Sequence, residues 1–383
     1  MSNLKTSIEE LCKRYGKSVI VSGNDLPPVR KIATEVPAFD FVATGGFIVN
    51  QCNELYGPFS SLKSYMFMCG VAKFQKYDWA NDVPNAITSV TYKNTKSRSK
   101  DEALATLTFN EIEKVNVRRG YSPKNAPKAL RVVWIDVEGT LNKELAEKVG
   151  VDMEGLIYYV PDSMNQAIDV AEVFLRNPEV CLVVIDSMVA IGSDAENEKS
   201  MEDLQMGVNA ALWNKASRKL RSAMNTNQNA TLFTVNGSYS KLGISFGDPE
   251  QLKNGEQWKL FKSLSIKMNA LKAETDKLDG TNKTTIGKHI SMYNKKNKFG
   301  QQFRNSEMYF SFVDDGELMS GMTDVTQQLL GLGVYFNLVE RTGNSYEYCG
   351  VKALGSSKFC EKLNKDKAVY STLHDEVYKL IIK

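Results

Sequence analysis

The sequence predicts an α/β fold with a mostly parallel central sheet, because three apolar runs alternate with helical patterns. The runs are rich in β-branched residues and have the length of buried strands: residues 130–135, 181–185 and 231–235. A polar residue follows each run: Asp136, Asp186 and Asn236. Ligands bind beyond the carboxyl ends of parallel strands, so these three residues indicate where a site would lie.

The helices between the strands carry their apolar residues on one face. Asp162 and Ser163 are typical N-cap residues for a helix that extends to about Arg176. Residues 206–224 predict a second helix that separates the last two strands. Both patterns support the alternation of strands and helices.

Three parts of the chain depart from the alternation of apolar strands and helices. Residues 1–30 contain a predicted helix, a short strand and a linker, and they precede a core that comprises residues 31–315. Residues 77–128 are polar and mildly basic, and we interpret them as a surface insertion in the core. Residues 316–383 predict a small carboxy-terminal α/β domain. Its strands are expected around residues 334–339 and 346–349, and its helices around residues 356–363 and 371–382.

Composition restricts the class of function. The net charge of the 383-residue chain is only +3, so any nucleic-acid site must be a local patch. Six cysteines show no CxxC spacing, and the two histidines, His289 and His374, lie far apart, which argues against a zinc site or a hydrolase triad. No apolar stretch reaches membrane-spanning length. We therefore expect no membrane partner and a cytoplasmic location.

A phosphate-binding loop is predicted between a strand and an apolar helix. Its residues are Gly57, Pro58, Phe59, Ser60, Ser61, Leu62, Lys63 and Ser64. In a P-loop the backbone N–H groups surround the phosphates, the lysine reaches the β- and γ-phosphates, and the serine hydroxyl binds Mg²⁺. Leu62 stands where the standard motif has its second glycine, so this segment alone also fits a serine-rich loop before a helix.

Two strand ends supply carboxylates that suit an ATP site. Asp186 ends an apolar strand in the manner of a Walker B aspartate, which would hold Mg²⁺ together with Ser64. Glu138 follows another strand and could deprotonate the attacking water. A helix-capping aspartate and a solvated loop glutamate are the alternatives for each residue alone. The three segments together favour ATP hydrolysis.

These segments resemble RecA-family recombinases, both bacterial RecA and the phage UvsX proteins, which also carry a bulky residue at the position of Leu62. The likeness includes the P-loop, the segment around Glu138, the strand of Asp186, residues 246–250 and the triplet 296–298. It extends from about residue 6 to the end of the chain, apart from residues 77–128. The bulky residue favours a phage-type member of the family.

The resemblance implies a RecA-type P-loop ATPase core and a DNA-dependent ATPase. Such a protein assembles as a helical filament of identical subunits on single-stranded DNA and catalyses homologous pairing and strand exchange in recombination and repair. ATP and Mg²⁺ are its cofactors, and single-strand-binding and mediator proteins are further partners. If the chain is phage-encoded, it acts in the host cytoplasm. The amino-terminal unit would dock on a neighbouring subunit, and the carboxy-terminal domain would contact double-stranded DNA.

Site residues follow from the same resemblance. Glu138 and Lys63 are the expected catalytic residues within a subunit, and Lys296 and Lys298 are expected to act on the ATP of the neighbouring subunit. Asn236 would sense the γ-phosphate. Two DNA loops are expected at residues 192–206 and 237–255. The DNA-contacting residues would be Met206, Gly207, Arg218, Lys241, Leu242, Phe246 and Gly255.

The chain departs from the family pattern at two further positions. Gly237 replaces a glutamine that links the γ-phosphate to DNA, so either Asn236 takes part of that role or the coupling is looser. Leu145 replaces the aromatic residue that stacks on adenine, which predicts weaker nucleotide selectivity.

Two other functions fit some of these residues. A ring-forming RecA-fold helicase would share the P-loop but not the paired DNA loops or the Lys-Asn-Lys triplet. A DNA-coating protein with a decayed ATP site is disfavoured by Lys63, Ser64, Asp186 and Glu138.

Overall fold

A computed structural model of the chain describes residues 28–79, 85–92, 112–119, 130–188, 208–240, 250–252, 255–276 and 283–382. The helix and strand predicted between residues 6 and 22 lie outside the described residues. So does the first predicted DNA loop, at residues 192–206.

The described strands belong to one large sheet and several small ones. In chain order the strands are β1 (Lys31–Ile32), β2 (Phe47–Ile48), β3 (Cys52–Tyr56), β4 (Asn85–Tyr92), β5 (Ile112–Arg119), β6 (Arg131–Asp136), β7 (Leu156–Tyr159), β8 (Val180–Asp186), β9 (Thr231–Asn236), β10 (Ser238–Ser240), β11 (Glu250–Leu252), β12 (Leu264–Asp276), β13 (Thr284–Asn297), β14 (Asn305–Ser311), β15 (Glu340–Thr342), β16 (Ser345–Tyr348) and β17 (Val351–Leu354). Among the described residues, eight strands form the central sheet in the order β14-β13-β12-β3-β9-β8-β6-β7.

Some of the described helices cover the two faces of the central sheet, and others belong to the carboxy-terminal part of the chain. The helices are α1 (Pro37–Ala43), α2 (Lys63–Lys76), α3 (Lys143–Lys148), α4 (Met164–Arg176), α5 (Val208–Thr226), α6 (Gly255–Phe261), α7 (Val325–Tyr335), α8 (Ser356–Lys365) and α9 (Lys367–Ile382). The side chain of Ser163 accepts a hydrogen bond from the backbone N–H of Gln166 and caps α4, as the sequence predicts.

The predicted mostly parallel sheet is confirmed. Pairing is parallel from β12 through β3, β9, β8 and β6 to β7, and only β13 and β14 run antiparallel at one edge. The three apolar runs correspond to β6, β8 and β9. Their carboxyl ends, together with that of β3, lie along one edge of the sheet. Ligands bind beyond the carboxyl ends of parallel strands, so this edge is where we expect the site.

Alternate residues of the central strands enter two hydrophobic clusters, one on each face of the sheet. Trp134 of β6 belongs to the cluster that includes Phe67 of α2, and the adjacent Ile135 belongs to the cluster that includes Leu220 of α5. Helix α2 approaches the sheet closely at Gly70, where an added Cβ would lie 2.7 Å from the ring of Phe47. The strands are therefore buried on both sides, as the near-continuous apolar runs indicate.

The carboxy-terminal residues pack against the core through polar contacts as well as apolar ones. The Tyr378 hydroxyl donates to the buried carboxylate of Asp40 at 2.9 Å, and the Ala38 N–H donates to the side chain of Gln328 at 3.1 Å. The strand expected at residues 334–339 is wrong, because helix α7 extends to Tyr335 and buries its leucines in this interface. The strand expected at residues 346–349 and the two helices are present, as β16, α8 and α9.

The predicted insertion begins later than residue 77. The side chain of Trp79 is only 2% exposed and its indole N–H donates to the carbonyl of Phe74, so residues 77–79 belong to the core. Strands β4 and β5 pair with each other, and within the described chain they join no strand of the central sheet. In the described part of the chain, no helix is long and apolar enough to cross a membrane.

Replacement of residues 85–119 by a short glycine–serine linker is therefore expected to leave the core folded and able to bind ATP. The reason is that the hairpin forms a separate sheet. Thermal unfolding and binding of a fluorescent ATP analogue would test this. Trp79→Ala is the contrasting variant, since loss of a buried tryptophan side chain costs about 3–5 kcal/mol of unfolding free energy. A shortened protein that does not fold would contradict the assignment.

Candidate nucleotide-binding site

The P-loop connects β3 to α2 and begins at a glycine that no other residue could replace without strain. Gly57 has φ of +147°, and an added Cβ would lie 2.0 Å from the carbonyl oxygen of Met268 on the neighbouring strand. The Gly57 N–H also donates to the carbonyl of Asn236 at 3.3 Å. The start of the loop is thus fixed against strands on both sides of β3.

Leu62 adopts the left-handed conformation that a glycine would take at its position. Its φ and ψ are 62° and 27°, and it is the N-cap residue of α2. A residue with a Cβ pays about 1–2 kcal/mol for this conformation. The Leu62 side chain packs against the main hydrophobic cluster, so part of that cost is offset by burial. The loop keeps the backbone shape of a P-loop although it lacks the second glycine.

The ammonium group of Lys63 lies within the loop. It donates to the carbonyls of Gly57 and Pro58, at 3.1 and 2.7 Å, and to the Ser61 hydroxyl at 3.2 Å. Burial lowers the pKa of Lys63, and the nearby carboxylates of Asp186 and Glu138 oppose that shift. An ammonium in this position is available to phosphate oxygens that enter the loop.

Ser64 and Asp186 lie together in the structure. The Ser64 hydroxyl donates to the Asp186 carboxylate at 2.5 Å, across 122 residues of sequence. Burial raises the pKa of Asp186 to about 6, and the hydrogen bond from Ser64 opposes the shift. A hydroxyl and a carboxylate oxygen are ligands that suit Mg²⁺, so the pair fits the ion that ATP brings.

Glu138 lies one strand away from this pair and is exposed to solvent. The Ser187 hydroxyl donates to its carboxylate at 2.7 Å. The loop that carries Glu138 is held by Asp136, whose buried carboxylate accepts hydrogen bonds from the N–H groups of Glu138, Gly139 and Leu141, at 3.2, 2.9 and 2.8 Å. Asp136 is thus a positioning residue. The sequence marked it only as the polar end of a strand.

Two further residues beside the P-loop were missed by the sequence analysis. The ammonium group of Lys288 on β13 donates to the carbonyl of Ser60 at 2.6 Å, and it lies 5.5 Å from the centre of the Phe312 ring. Phe312 is 41% exposed, and Phe59 in the loop is 86% exposed. Both aromatic rings offer stacking surface next to the phosphate-binding loop. Lys288 is one of several basic residues on β13, and no local pattern marks its contact with a loop 228 residues away.

The three other residues predicted to act on ATP make contacts away from the P-loop lysine. Asn236 is buried and donates to the carboxylate of Glu54 at 3.1 Å. Lys296 and Lys298 donate to the carbonyls of Lys259 and Leu260 at the end of α6, the latter contact being 2.8 Å long. Burial lowers the pKa of Lys296 to about 8, and the positive charges of Lys298 and Lys262 lower it further.

The DNA-contacting residues are described only in part. Arg218 is exposed on α5, and Gly255 is the first residue of α6. Five predicted residues lie outside the described residues: Met206, Gly207, Lys241, Leu242 and Phe246. The described ends of the second predicted loop, β10 and β11, pair as a short antiparallel hairpin, with Ser240 opposite Glu250.

A P-loop that lies beside carboxylates at the ends of parallel strands defines the class of P-loop ATPase cores. The family model for the RecA N-terminal domain matches residues 124–316, just over half of the chain. The chain belongs to the RecA family of recombinases, as the sequence motifs predicted. The matched residues include Glu138, Asp186, Asn236 and the triplet 296–298, whereas the P-loop precedes them.

Individual relatives extend the likeness over nearly the whole chain. The chain is 26% identical to Protein RecA of Chlorobium chlorochromatii over 387 residues, which cover 100% of this chain and 91% of that protein. It is 28% identical to Protein RecA of Clavibacter michiganensis over 361 residues, or 93% of this chain and 81% of that protein. A solved structure of the RadB recombinase aligns at 13% identity with a TM-score of 0.44, covering 72% of this chain and 94% of that one.

The left-handed backbone at Leu62 predicts an unusual order of stability among variants. Leu62→Gly and Leu62→Ala both lose the packing of the leucine, but only glycine relieves the backbone, so we expect the glycine variant to be more stable by about 1 kcal/mol. At an ordinary helical position the alanine variant would be more stable. Urea unfolding of both variants measures the difference. An alanine variant that is at least as stable as the glycine variant would show that the backbone is not left-handed here.

Proposed function

We propose that this chain is an ATP-dependent DNA recombinase that forms helical filaments on single-stranded DNA and catalyses homologous pairing and strand exchange. One observation carries the proposal: Lys63, the Ser64–Asp186 pair and Glu138 meet at the carboxyl edge of the parallel sheet in a RecA-family chain. The similarity to proteins named RecA over nearly the whole chain supports the assignment to recombination and repair.

The chemistry of hydrolysis can be assigned to the residues of this site. Mg²⁺ bound to Ser64 and Asp186 would neutralise phosphate charge. Lys63 would contact the β- and γ-phosphates. Glu138, held by Ser187 and by the loop contacts of Asp136, would accept a proton from the attacking water. The Ser187 hydrogen bond holds the Glu138 carboxylate, and the Asp136 contacts hold the backbone of its loop.

The exposed ring of Phe312 supports a second assignment within the same site. It lies next to Lys288, which contacts the P-loop, and would supply an aromatic face for the adenine base that Leu145 lacks. We therefore expect nucleotide selectivity to depend more on Phe312 than on Leu145.

Two parts of the chain are proposed to contact DNA. The loop at residues 237–255 would approach single-stranded DNA, with Lys241 and Phe246 as its phosphate and base contacts. In the carboxy-terminal part, four lysines line an open cavity of about 690 Å³ together with Asp366, Gly350 and Val351. These lysines are Lys352, Lys362, Lys365 and Lys367. A basic surface of this kind suits the phosphates of double-stranded DNA.

The proposed assembly can be distinguished from a ring-forming helicase. A head-to-tail interface that does not close generates a helical filament, and one that closes generates a ring. Electron microscopy with ATP and single-stranded DNA would separate the two, and a joint-molecule assay would test strand exchange directly. Hexameric rings without joint molecules would favour the helicase. Single-strand-binding and mediator proteins remain proposed partners.

Glu138→Gln is expected to lower the turnover number for ATP by about 10²–10⁴-fold, the usual contribution of a general base. ATP binding and filament assembly should persist, because the glutamine keeps the shape of the side chain and leaves Lys63 and Ser64 in place. A steady-state ATPase assay with single-stranded DNA, alongside nucleotide binding, measures both effects. Ser187→Ala should cause a smaller loss. Near-normal turnover of Glu138→Gln would exclude it as the base.

If Lys296 and Lys298 act on the ATP of the neighbouring subunit (a role in trans), two inactive variants should restore ATPase activity when they are mixed. One carries Lys63→Ala, and the other carries Lys296→Ala together with Lys298→Ala. If the two assemble randomly in equal amounts, about a quarter of the interfaces pair an intact P-loop with intact lysines. ATPase activity should then return on mixing.

The mixing experiment also separates the trans role from a structural one. Both lysines contact the end of α6 in their own subunit, so their loss could disturb that helix alone. In that case each mixed interface still contains a defective subunit and no activity returns. Co-assembly is verified with differently labelled proteins, and each protein by itself serves as the control.

A further inference from the structure

Glu54 forms a buried polar cluster directly before the P-loop. Its side chain is fully buried on β3, and its carboxylate accepts hydrogen bonds from four side chains. The donors are Asn236 at 3.1 Å, Trp258 at 3.1 Å, Ser265 at 2.8 Å and Lys262, which forms an ion pair with it. We call these five residues the Glu54 cluster. The ATP chemistry proposed above does not use the carboxylate of Glu54.

The cluster holds both ends of the second predicted DNA loop. Asn236 is the last residue of β9, and the loop begins immediately after it. Trp258 lies on α6, the helix that begins at Gly255, where the loop ends. The two ends are therefore attached to the same carboxylate. That carboxylate stands three residues before Gly57, where the P-loop starts.

Lys262 connects the cluster to the strand that enters the P-loop. Its side chain is only 6% exposed, and its ammonium group lies 5.5 Å from the ring centre of Tyr56 as well as on the Glu54 carboxylate. The backbone N–H of Lys262 donates to the carbonyl of Trp258 at the end of α6. Lys296 and Lys298 contact carbonyls of the same helix. Helix α6 is thus held by the Glu54 cluster and by the two lysines proposed to reach the neighbouring ATP.

Stability alone does not account for a buried ion pair at this place. Well-packed apolar residues of similar volume are often as stabilising as a buried ion pair, because the charges lose their hydration. Directional hydrogen bonds, by contrast, fix the relative position of the groups that they join. Here the hydrogen bonds join β3, which leads into the P-loop, to the end of β9 and to α6, which flank the DNA loop.

We propose that Glu54 is a positioning residue that couples the second DNA loop to the nucleotide site. Asn236 and Trp258 are its contacts at the two ends of the loop, and its own strand β3, which leads into the P-loop, is its link to the nucleotide site. The inference rests on the proposed function, because it assumes that residues 237–255 contact DNA. It gives this chain a route between the two sites that does not need a side chain at position 237. Movement of β3 or Asn236 on ATP binding would be transmitted to α6 through one carboxylate.

The test compares the affinity for a labelled oligothymidylate in the presence of a non-hydrolysable ATP analogue and in the presence of ADP. The ratio of the two affinities measures coupling. The variant is Glu54→Met combined with Lys262→Met, which removes both charges and the acceptor shared by Asn236 and Trp258 but leaves no unpaired buried charge. We expect it to bind the ATP analogue without DNA like the wild type. The coupling ratio should fall by at least about fivefold, the lower range of allosteric effects.

A second variant covers the case in which the double variant does not fold. Trp258→Phe removes the N–H donor to Glu54 together with part of the buried indole ring, keeps an aromatic ring, and should also lower the ratio. Its matched control is Tyr378→Phe, which removes one donor to another buried carboxylate, that of Asp40. A folded cluster variant with the wild-type ratio overturns the inference. An equal fall in Tyr378→Phe overturns it as well, because the loss would then reflect destabilisation.

The wild-type measurement distinguishes this inference from the proposed function. If the ATP analogue and ADP give the same oligothymidylate affinity in the wild type, the proposed ATP-dependent recombinase is contradicted and the inference falls with it. If the wild type shows the difference and the cluster variants keep it, the inference alone is contradicted.

Discussion

The parallel register of the central strands is the constraint on which the whole site depends. Tyr56 of β3 lies opposite Asn236 of β9, and Asp136 of β6 lies opposite Asp186 of β8. A slip of one residue in either pair would turn every side chain of a strand to the other face of the sheet. It would also separate Ser64 from Asp186, which are joined by a single hydrogen bond across 122 residues of sequence. The two-sided burial of the strands therefore fixes the chemistry of the site as well as the core.

In the P-loop, contacts with neighbouring elements hold a backbone conformation that a glycine would otherwise favour. A second glycine would favour the loop conformation by itself, whereas Ser60 and Leu62 both have positive φ here. Contacts with the rest of the protein hold this shape: Lys288 binds the carbonyl of Ser60, and Leu62 packs into the core. Strained backbone at a functional site persists when its surroundings determine it more strongly than its own residues do.

The sequence predicted those parts of the structure that depend on local patterns. Buried strands leave apolar runs, and Ser163 lies at the start of a periodic helix, so both could be found from one sequence. The helix at residues 325–335 was missed because Gly331 and Gly333 interrupt its apolar pattern and disfavour a helix in isolation. The burial of Trp79, the contact between Lys288 and Ser60, and the Glu54 cluster depend on partners far away in the sequence. Lys262, for example, lies 208 residues from Glu54, and no local pattern marks that pairing.

The two departures from the family pattern have different physical consequences. The loss of an aromatic ring at Leu145 removes one stacking surface for the base, and the 41% exposed Phe312 lies next to Lys288, which contacts the P-loop. The loss of a side chain at Gly237 affects the coupling between the nucleotide site and the DNA loop. Such coupling needs groups at the two sites that are joined and move together. The Glu54 carboxylate meets that requirement, because its oxygens bind the strand end before Gly237 and the helix after the loop. The low dielectric of the core strengthens each of these hydrogen bonds, so the positions of the strand end and of the helix are closely linked.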